Sequence, residues 1–176
     1  DFMGQTMNFM KGGVTDLIIG GIVREPVTIM KTAQAIGFSA AFYGLGPTVD
    51  PRVGLLAGEA GEGFIAAYWA YHPDLDEPGP TLYRELCDQN NVPAKMRGLY
   101  HYYGFATAHV LVEGLRKAGK YPTRERMMKG LETLHKWESG VFPPITYSRN
   151  DHAGVESVIL LQLQGGKQVA ITGWRN

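Results

Sequence analysis

A Gly-Leu-Gly triplet at residues 44–46 is the first feature of the chain that could take part in chemistry. It follows an apolar run, which is where a dinucleotide-binding loop places its glycines. Val49 stands where that fingerprint has its third glycine, and Pro47 and Pro51 are expected to stop a helix from starting beside the loop. A bound pyrophosphate needs such a helix N-terminus. A turn is therefore the favoured interpretation, and a nucleotide-dependent, doubly wound enzyme stays the alternative.

The acidic residues and histidines form no arrangement that is typical of catalysis or metal binding. Glu59 and Glu62 could act as an acid pair, but their glycine-rich surroundings favour solvated carboxylates in a turn. His101 and His109 lie on one predicted helix about 12 Å apart, so a single metal ion cannot bind both. No serine or cysteine nucleophile lies in a catalytic motif. We therefore predict a protein that is not an enzyme, with no catalytic residue, no metal and no cofactor.

Two other groups of residues favour the binding of a small molecule. Arg24 and Glu25 follow a strand that ends in glycine, where their charges could meet the carboxylate and ammonium groups of an amino acid. A salt bridge between the two at the start of a helix explains the pair equally well. Tyr100, Tyr102 and Tyr103 open a long helix, and three such tyrosines cannot all face one core. At least one should line a surface or cleft, whereas Tyr103 is expected to pack in the core.

Strands and helices must alternate to position these residues. Apolar runs that end in glycine predict strands at residues 15–21 and 39–44, and the apolar spacing of residues 25–37 predicts a helix between them. This order predicts a parallel pair with a right-handed crossover, the first strand being covered on both faces. Ligands of such sheets lie beyond the carboxyl ends of the strands. Residues 22–25 and 45–48 are therefore the first places to expect a site.

The remainder of the chain predicts further α/β structure and a terminal hairpin. Thr123 is expected to cap a helix, and the Gly165-Gly166 pair should form the two-residue turn of a β-hairpin. In the long helix, Leu99, Tyr103, Ala106 and Val110 should form the apolar face. The predicted third strand, the helices and the two hairpin strands occupy residues 64–71, 80–91, 99–117, 123–134, 158–164 and 167–172.

The composition excludes several classes of function. The 176 residues, 44% of them hydrophobic, are enough for one domain or two small ones with a buried core. The net charge is zero and no basic stripe occurs, which argues against a nucleic-acid partner. No apolar run is long enough to span a bilayer. Cys87, the single cysteine, cannot form an internal disulfide and is expected to be buried on a helix face.

Several short motifs follow one another along the chain. They are residues 1–2, in which Asp1 opens a helix, and residues 16–21, 35–38, 56–63, 103–106, 122–125, 142–147, 151–152 and 173–174. Their order resembles the second lobe of type I periplasmic binding proteins, and the most similar group is the branched-chain amino-acid-type substrate-binding subunits of ABC transporters. Gly104 departs from the acid that this group usually has in its Tyr-Asp-Ala element.

This resemblance implies a protein of two lobes joined by hinge crossings, with the ligand held between them. It implies that this chain is the C-terminal half, an incomplete two-lobed fold. Residues 1–97 would form the α/β core of lobe two, and residues 98–140 the helices that pack on the missing lobe one. Residues 141–176 would form hinge strands and the hairpin. Without lobe one, Leu99, Tyr103 and Val110 are expected to be exposed and to find a partner, either lobe one or a second copy.

The resemblance also implies the position of the ligand. The family's tyrosine after the glycine-ended strand is replaced here, and its acid for the ligand ammonium falls near a glycine, so a leucine-like ligand is less favoured. An amino acid, an aromatic or aliphatic carboxylate and an amide all remain open, with Arg24 as a possible counter-charge. The contacts would fall at Ile22, Val23, Arg24, Glu25, Leu45, Gly46, Pro47 and Tyr100.

The family further implies partners and a location. The intact protein would pass its solute to an ABC permease, and it would be periplasmic or extracytoplasmic, with a lipid anchor in a Gram-positive cell. A metabolite-sensing receptor or regulator that uses the same binding fold is a further alternative.

Overall fold

A computed structural model describes residues 2–176, so that Asp1 of the first family-like motif lies outside the described residues. Short 3₁₀ helices cover Gly46–Val49, Gly58–Gly61 and Ala94–Met96. The helices and strands are α1 (Met3–Lys11), β1 (Asp16–Ile19), α2 (Arg24–Ala35), β2 (Ala41–Gly44), α3 (Pro51–Ala57), β3 (Ile65–Tyr68), α4 (Pro78–Gln89), α5 (Leu99–Ala118), α6 (Arg124–Leu131), β4 (Ile159–Gln164) and β5 (Lys167–Ala170).

The strands form one sheet in the order β1-β2-β3-β4-β5. The first three run parallel, β4 pairs antiparallel with β3, and β5 pairs antiparallel with β4. Gly165 and Gly166 connect β4 to β5 with φ of 56° and 81°, a left-handed backbone that glycine adopts without a steric penalty. The predicted parallel pair, the α/β class and the glycine hairpin are all confirmed.

The prediction that the first strand is covered on both faces is wrong. Ile18 of β1 is 72% exposed, and only Ile19 is buried. Within the described residues β1 lies at the edge of the sheet with β2 as its single neighbour, so fewer elements cover its side chains.

A second prediction is corrected at α3, because a helix does start after the triplet at residues 44–46. Pro51 is its first residue, a position at which proline loses no helical hydrogen bond. Asp50 caps this helix, its Oδ1 accepting the N–H of Arg52 at 2.9 Å. Pro51 was expected to prevent a helix from starting here, but it is the first residue of α3.

The chain divides into two compact units. The described part of the first unit runs to Tyr68 and also contains Ile159–Gly173, so it holds the whole sheet. Its core includes Met30 of α2, Val53 of α3 and Phe64. The second unit comprises Trp69–Val158 and Trp174–Asn176. The three-part division at residues 97 and 140 stays a prediction.

In the second unit, α5 buries a different tyrosine from the one expected. Tyr102 is fully buried whereas Tyr103 is 40% exposed, and Leu99 and Val110 are buried rather than exposed. The buried stripe continues to Gly114 and Ala118, where α5 packs against α6. A Cβ on Gly114 would lie 2.9 Å from Leu131 Cδ2, so the small residue permits this close approach.

Other details of this unit agree with the sequence. The Oγ1 of Thr123 accepts the N–H of Arg126 at 3.2 Å and caps α6, and Cys87 is buried on α4. No helix within residues 2–176 has the length and apolar character that crossing a bilayer requires.

Candidate functional site

The carboxyl ends of β1 and β2 lie side by side in the first unit. Their parallel register pairs Ile19 with Gly44, the last residue of each strand. The segments that leave these strands therefore start at the same edge of the sheet, where ligands of parallel sheets are found. This arrangement brings together the predicted positions at residues 22–25 and 45–47.

The segment after β2 is held in a tight turn. Leu45 O accepts two hydrogen bonds from Thr48, from the backbone N–H at 2.8 Å and from Oγ1 at 2.7 Å. A Cβ on Gly44 would lie 2.1 Å from Thr48 Oγ1 and 2.5 Å from Phe64 Cζ. Glycine at the end of β2 is therefore required for packing and is not a sign of phosphate binding.

The segment after β1 closes on itself through Glu25. The carboxylate Oε2 accepts the backbone N–H of Ile22 at 3.0 Å, a reach of three residues at the start of α2. This hydrogen bond, the largest cause, holds the pKa of Glu25 below its ordinary value. A Cβ on Gly21 would lie 2.6 Å from Glu25 Cβ, which explains the second glycine.

The salt bridge considered for Arg24 and Glu25 is not formed. Glu25 instead receives the N–H of Ile22, and Arg24 is exposed with no ion pair among residues 2–176. The two charges therefore differ in their availability to a ligand.

The remaining predicted positions in this unit present an apolar surface. Ile22 is 47% exposed and Leu45 54% exposed. Val23 and Pro47 are half-buried, and Gly46 is buried in the turn. Side chains of this kind suit a small organic molecule with an apolar body.

Asp50 and Arg52 were missed as residues of this edge. Asp50 is fully buried, and both of its carboxylate oxygens accept hydrogen bonds from the Arg52 guanidinium at 2.8 Å. An acid directly before a proline is a helix-capping pattern that could have identified it. Because this carboxylate already accepts the N–H of Arg52 at the N-terminus of α3, that donor is not available to a phosphate, which argues against the nucleotide alternative.

Tyr100 belongs to a different compact unit from the other predicted site residues. It lies at the start of α5 and is exposed, but it belongs to the second unit whereas the other seven belong to the first. Whether it contacts the same ligand stays a prediction.

The second unit carries an apolar groove of about 360 Å³ that the sequence did not indicate. Tyr103 and Tyr147 line it, and burial, with a smaller effect of Tyr103, raises the pKa of Tyr147. Gly154 lies against the Tyr147 ring, since a Cβ there would be 2.6 Å from Cε1. Phe142 meets Tyr103 edge-on, with ring centroids 6.2 Å apart.

His101, His109 and Glu62 have structural partners. His101 Nδ1 lies 2.8 Å from Tyr83 Oη, and the His109 ring stacks on Trp137. Glu62 accepts the N–H of Gly165 at 3.0 Å and so supports the hairpin turn. Among residues 2–176 no three acidic, histidine or cysteine side chains cluster so as to hold a metal ion.

Comparisons with known proteins agree with this geometry. Residues 1–168 match the model of a family described as periplasmic binding protein. A branched chain amino acid ABC transporter protein from Thermus thermophilus with bound valine superposes with a TM-score of 0.91 at 24% identity, over 99% of this chain and 49% of its own. A comparison with curated protein sequences finds no match.

Two further solved structures have the same fold. A leucine binding protein from Thermotoga maritima has a TM-score of 0.75 at 20% identity, over 100% of this chain and 49% of its own. A fatty acid ABC transporter substrate-binding protein from Thermomonospora curvata has a TM-score of 0.79 at 18% identity, over 99% of this chain and 46% of its own. This chain thus spans about half the length of these relatives.

The relatives support the resemblance seen in the motifs. Each of the three has a name that refers to binding or transport. The five-stranded α/β sheet with flanking helices covers about half of the two-lobed structures, as an incomplete fold of this type should. Because the family model matches nearly all of the sequence, the chain belongs to the periplasmic binding protein family.

Proposed function

We propose that this chain is part of the solute-binding component of an ABC importer. A small organic ligand would be bound between two lobes that close by a hinge motion, without chemical change. The observation that carries this proposal is the family match over residues 1–168 in a chain that spans about half of its relatives. The aligned ends of β1 and β2 supply the edge at which one wall of a cleft would lie.

In this proposal the first unit contributes the residues of one cleft wall. Ile22 and Leu45 would supply apolar contacts because both side chains are exposed beyond the strand ends. Tyr100 would contact the ligand from near a hinge crossing. The remaining contacts would come from Val23, Arg24, Gly46 and Pro47, and Glu25 would hold the turn that carries the first two of these.

The helices of residues 98–140 would pack on a first lobe outside this chain. Exposed apolar side chains on α5 support this arrangement, namely those of Leu111, Val112 and Leu115. A face of this kind usually has a partner, and pairing of two copies is the competing explanation. The encoded length and the intact mass of the natural protein distinguish the two. A gene product of only 176 residues would contradict a first lobe.

The protein would act outside the cytoplasm, together with an ABC permease. A neighbouring permease and ATPase gene would favour import over a sensing role for the same fold. Fractionation of cells that express the intact gene tests the location directly, and recovery in the cytoplasm would contradict it.

Ligand binding is tested by thermal shift and calorimetry on the two-lobed protein. We expect stabilisation by amino acids, carboxylates or amides and none by nucleotides. Leu45→Ala should weaken the binding of a hit roughly tenfold, because apolar contact area is lost. Leu55→Ala on α3 is the control, since this leucine is even more exposed but lies outside the proposed wall. Stabilisation by nucleotides alone would refute the proposal.

The isolated chain should bind the same ligand weakly, because half of the cleft would be absent. Micromolar or tighter binding by the monomeric chain, measured by calorimetry, would contradict a cleft that needs two lobes.

A further inference from the structure

Four charged side chains stand in the two segments that leave the ends of β1 and β2. They are the carboxylates of Glu25 and Asp50 and the guanidinium groups of Arg24 and Arg52. A ligand held against this edge can be selected by charge only through groups that the fold does not itself use. The hydrogen bonds that each group makes within the fold therefore determine which charges remain available to a ligand.

Glu25 is already used within its own turn. Its Oε2 accepts the N–H of Ile22 at 3.0 Å, and this contact, with a smaller one to its own backbone N–H, lowers the pKa of the carboxyl. Binding a ligand ammonium group through Glu25 would compete with the hydrogen bond that closes the start of α2.

Asp50 is even less available. Its side chain has no exposed surface, and it accepts three hydrogen bonds from Arg52, from the backbone N–H at 2.9 Å and from Nε and Nη2 at 2.8 Å. The bidentate pair neutralises both partners and caps α3. Both carboxylates of this edge therefore already accept hydrogen bonds from the fold.

Arg24 differs from the other three groups. Its side chain is exposed, and among residues 2–176 it makes no hydrogen bond or ion pair. The exposed apolar side chains of the two segments, Ile22 and Leu45, are contributed by the same edge. Its charge acts on Glu25 only through space, as the smallest cause of the lowered pKa of that carboxyl. The edge thus presents apolar surface, one positive charge that makes no hydrogen bond within the fold, and no carboxylate that is free of such hydrogen bonds.

We infer that the ligand is an organic monocarboxylate with an apolar body and no ammonium group, whose carboxylate pairs with Arg24. This inference rests on the proposed function, since it assumes that this edge forms a wall of the binding cleft. Guanidinium pairs with carboxylate in a planar, two-bonded geometry, and Ile22 and Leu45 would contact the hydrocarbon part. The ammonium group of a zwitterionic amino acid would have to compete with the hydrogen bonds that both carboxylates already accept from the fold.

Matched pairs of ligands test this inference on the two-lobed protein after removal of any co-purified ligand. Calorimetry compares 4-methylpentanoate with leucine and 3-phenylpropanoate with phenylalanine, each pair differing only in the ammonium group. The corresponding amide, 4-methylpentanamide, removes the negative charge instead. We expect the better carboxylate to bind at least about tenfold more tightly than its amino acid and its amide.

Variants of α2 test the role of Arg24. Arg24→Gln should weaken carboxylate binding at least about tenfold, and Arg24→Lys should retain part of it because the charge stays. Lys31→Gln is the matched control, because it removes an exposed positive charge from the same helix without touching the strand ends. Melting temperatures of the three variants should match that of the parent protein.

The outcomes separate this inference from the function on which it depends. Tighter binding of leucine or phenylalanine than of the deaminated partner would overturn the inference and leave solute binding intact. Unchanged carboxylate affinity in Arg24→Gln would overturn the assignment of Arg24. No binding by any carboxylate, amino acid or amide would count against the solute-binding proposal itself, and the inference would fail with it.

Discussion

The carboxylate of Glu25 accepts a hydrogen bond from the backbone N–H of Ile22 at 3.0 Å. This contact closes the turn that leaves β1 and fixes the start of α2. It also commits one of the few charges near the strand ends to structure, so a residue that could have faced a ligand instead supports the local fold.

Glu25→Gln should lower the melting temperature at neutral pH, because a neutral amide is a weaker acceptor than a carboxylate. The folded protein holds the pKa of Glu25 below the ordinary 4.5, so its stabilisation is present above that value and is lost as the pH falls below it. Thermal unfolding from about pH 7 to about pH 3 should show the difference from wild type vanish at the acid end. Glu59→Gln, at an exposed acid, is the control and should leave the melting temperature at neutral pH unchanged.

Gly44→Ala should destabilise the protein by about 1–3 kcal/mol, since the new Cβ would overlap Thr48 Oγ1 and Phe64 Cζ. Gly20→Ala is the matched control at the end of β1, where a Cβ would meet nothing within 4 Å. Urea unfolding of both variants measures the difference. Equal effects at the two glycines would contradict the packing argument.

Thr123→Ala should lower the free energy of unfolding by about 1 kcal/mol, the usual value of a lost N-cap. The Oγ1 of Thr123 accepts the N–H of Arg126, and alanine would leave this group to solvent. Thr123→Ser keeps the acceptor and should retain most of the stability. If the serine variant is as unstable as the alanine variant, the hydroxyl is not the cause.

Tyr102→Ala should cost about 3–5 kcal/mol, because a fully buried aromatic ring is removed from the core of the second unit. Tyr103→Ala, at the neighbouring position and 40% exposed, should cost less than half as much. Chemical denaturation of the two variants gives the comparison. A larger loss at Tyr103 would mean that this ring is covered in the natural protein.

Local sequence signals were sufficient for much of the first unit. Glycine-ended apolar runs with a helix between them predicted the parallel pair, because strand and helix periodicities are set by backbone geometry. Gly165-Gly166 predicted the hairpin for the same reason, since positive φ is a local requirement. The helix N-cap at Thr123 was likewise predicted from the sequence and is present in the structure.

The burial of individual side chains and the start of α3 depended on contacts that the sequence patterns did not specify. Neighbouring tyrosines at residues 102 and 103 fit the helix pattern equally well, and only the packing of α5 decided that Tyr102 is buried. Ile18 looked like a core residue until the strand order placed β1 at the edge. Pro51 looked like a stop signal until Asp50 was found capping the helix that it begins.

By itself the sequence determined the element order, the glycines that the turns require, and a motif order that identifies the family. It also placed candidate ligand contacts beyond two strand ends, because parallel strands bring those ends to one edge. Only the tertiary structure decided which charges at that edge are already used. Glu25 and Asp50 are held by Ile22 and Arg52, and Arg24 is not held, since hydrogen-bond partners depend on distances and burial rather than on residue type.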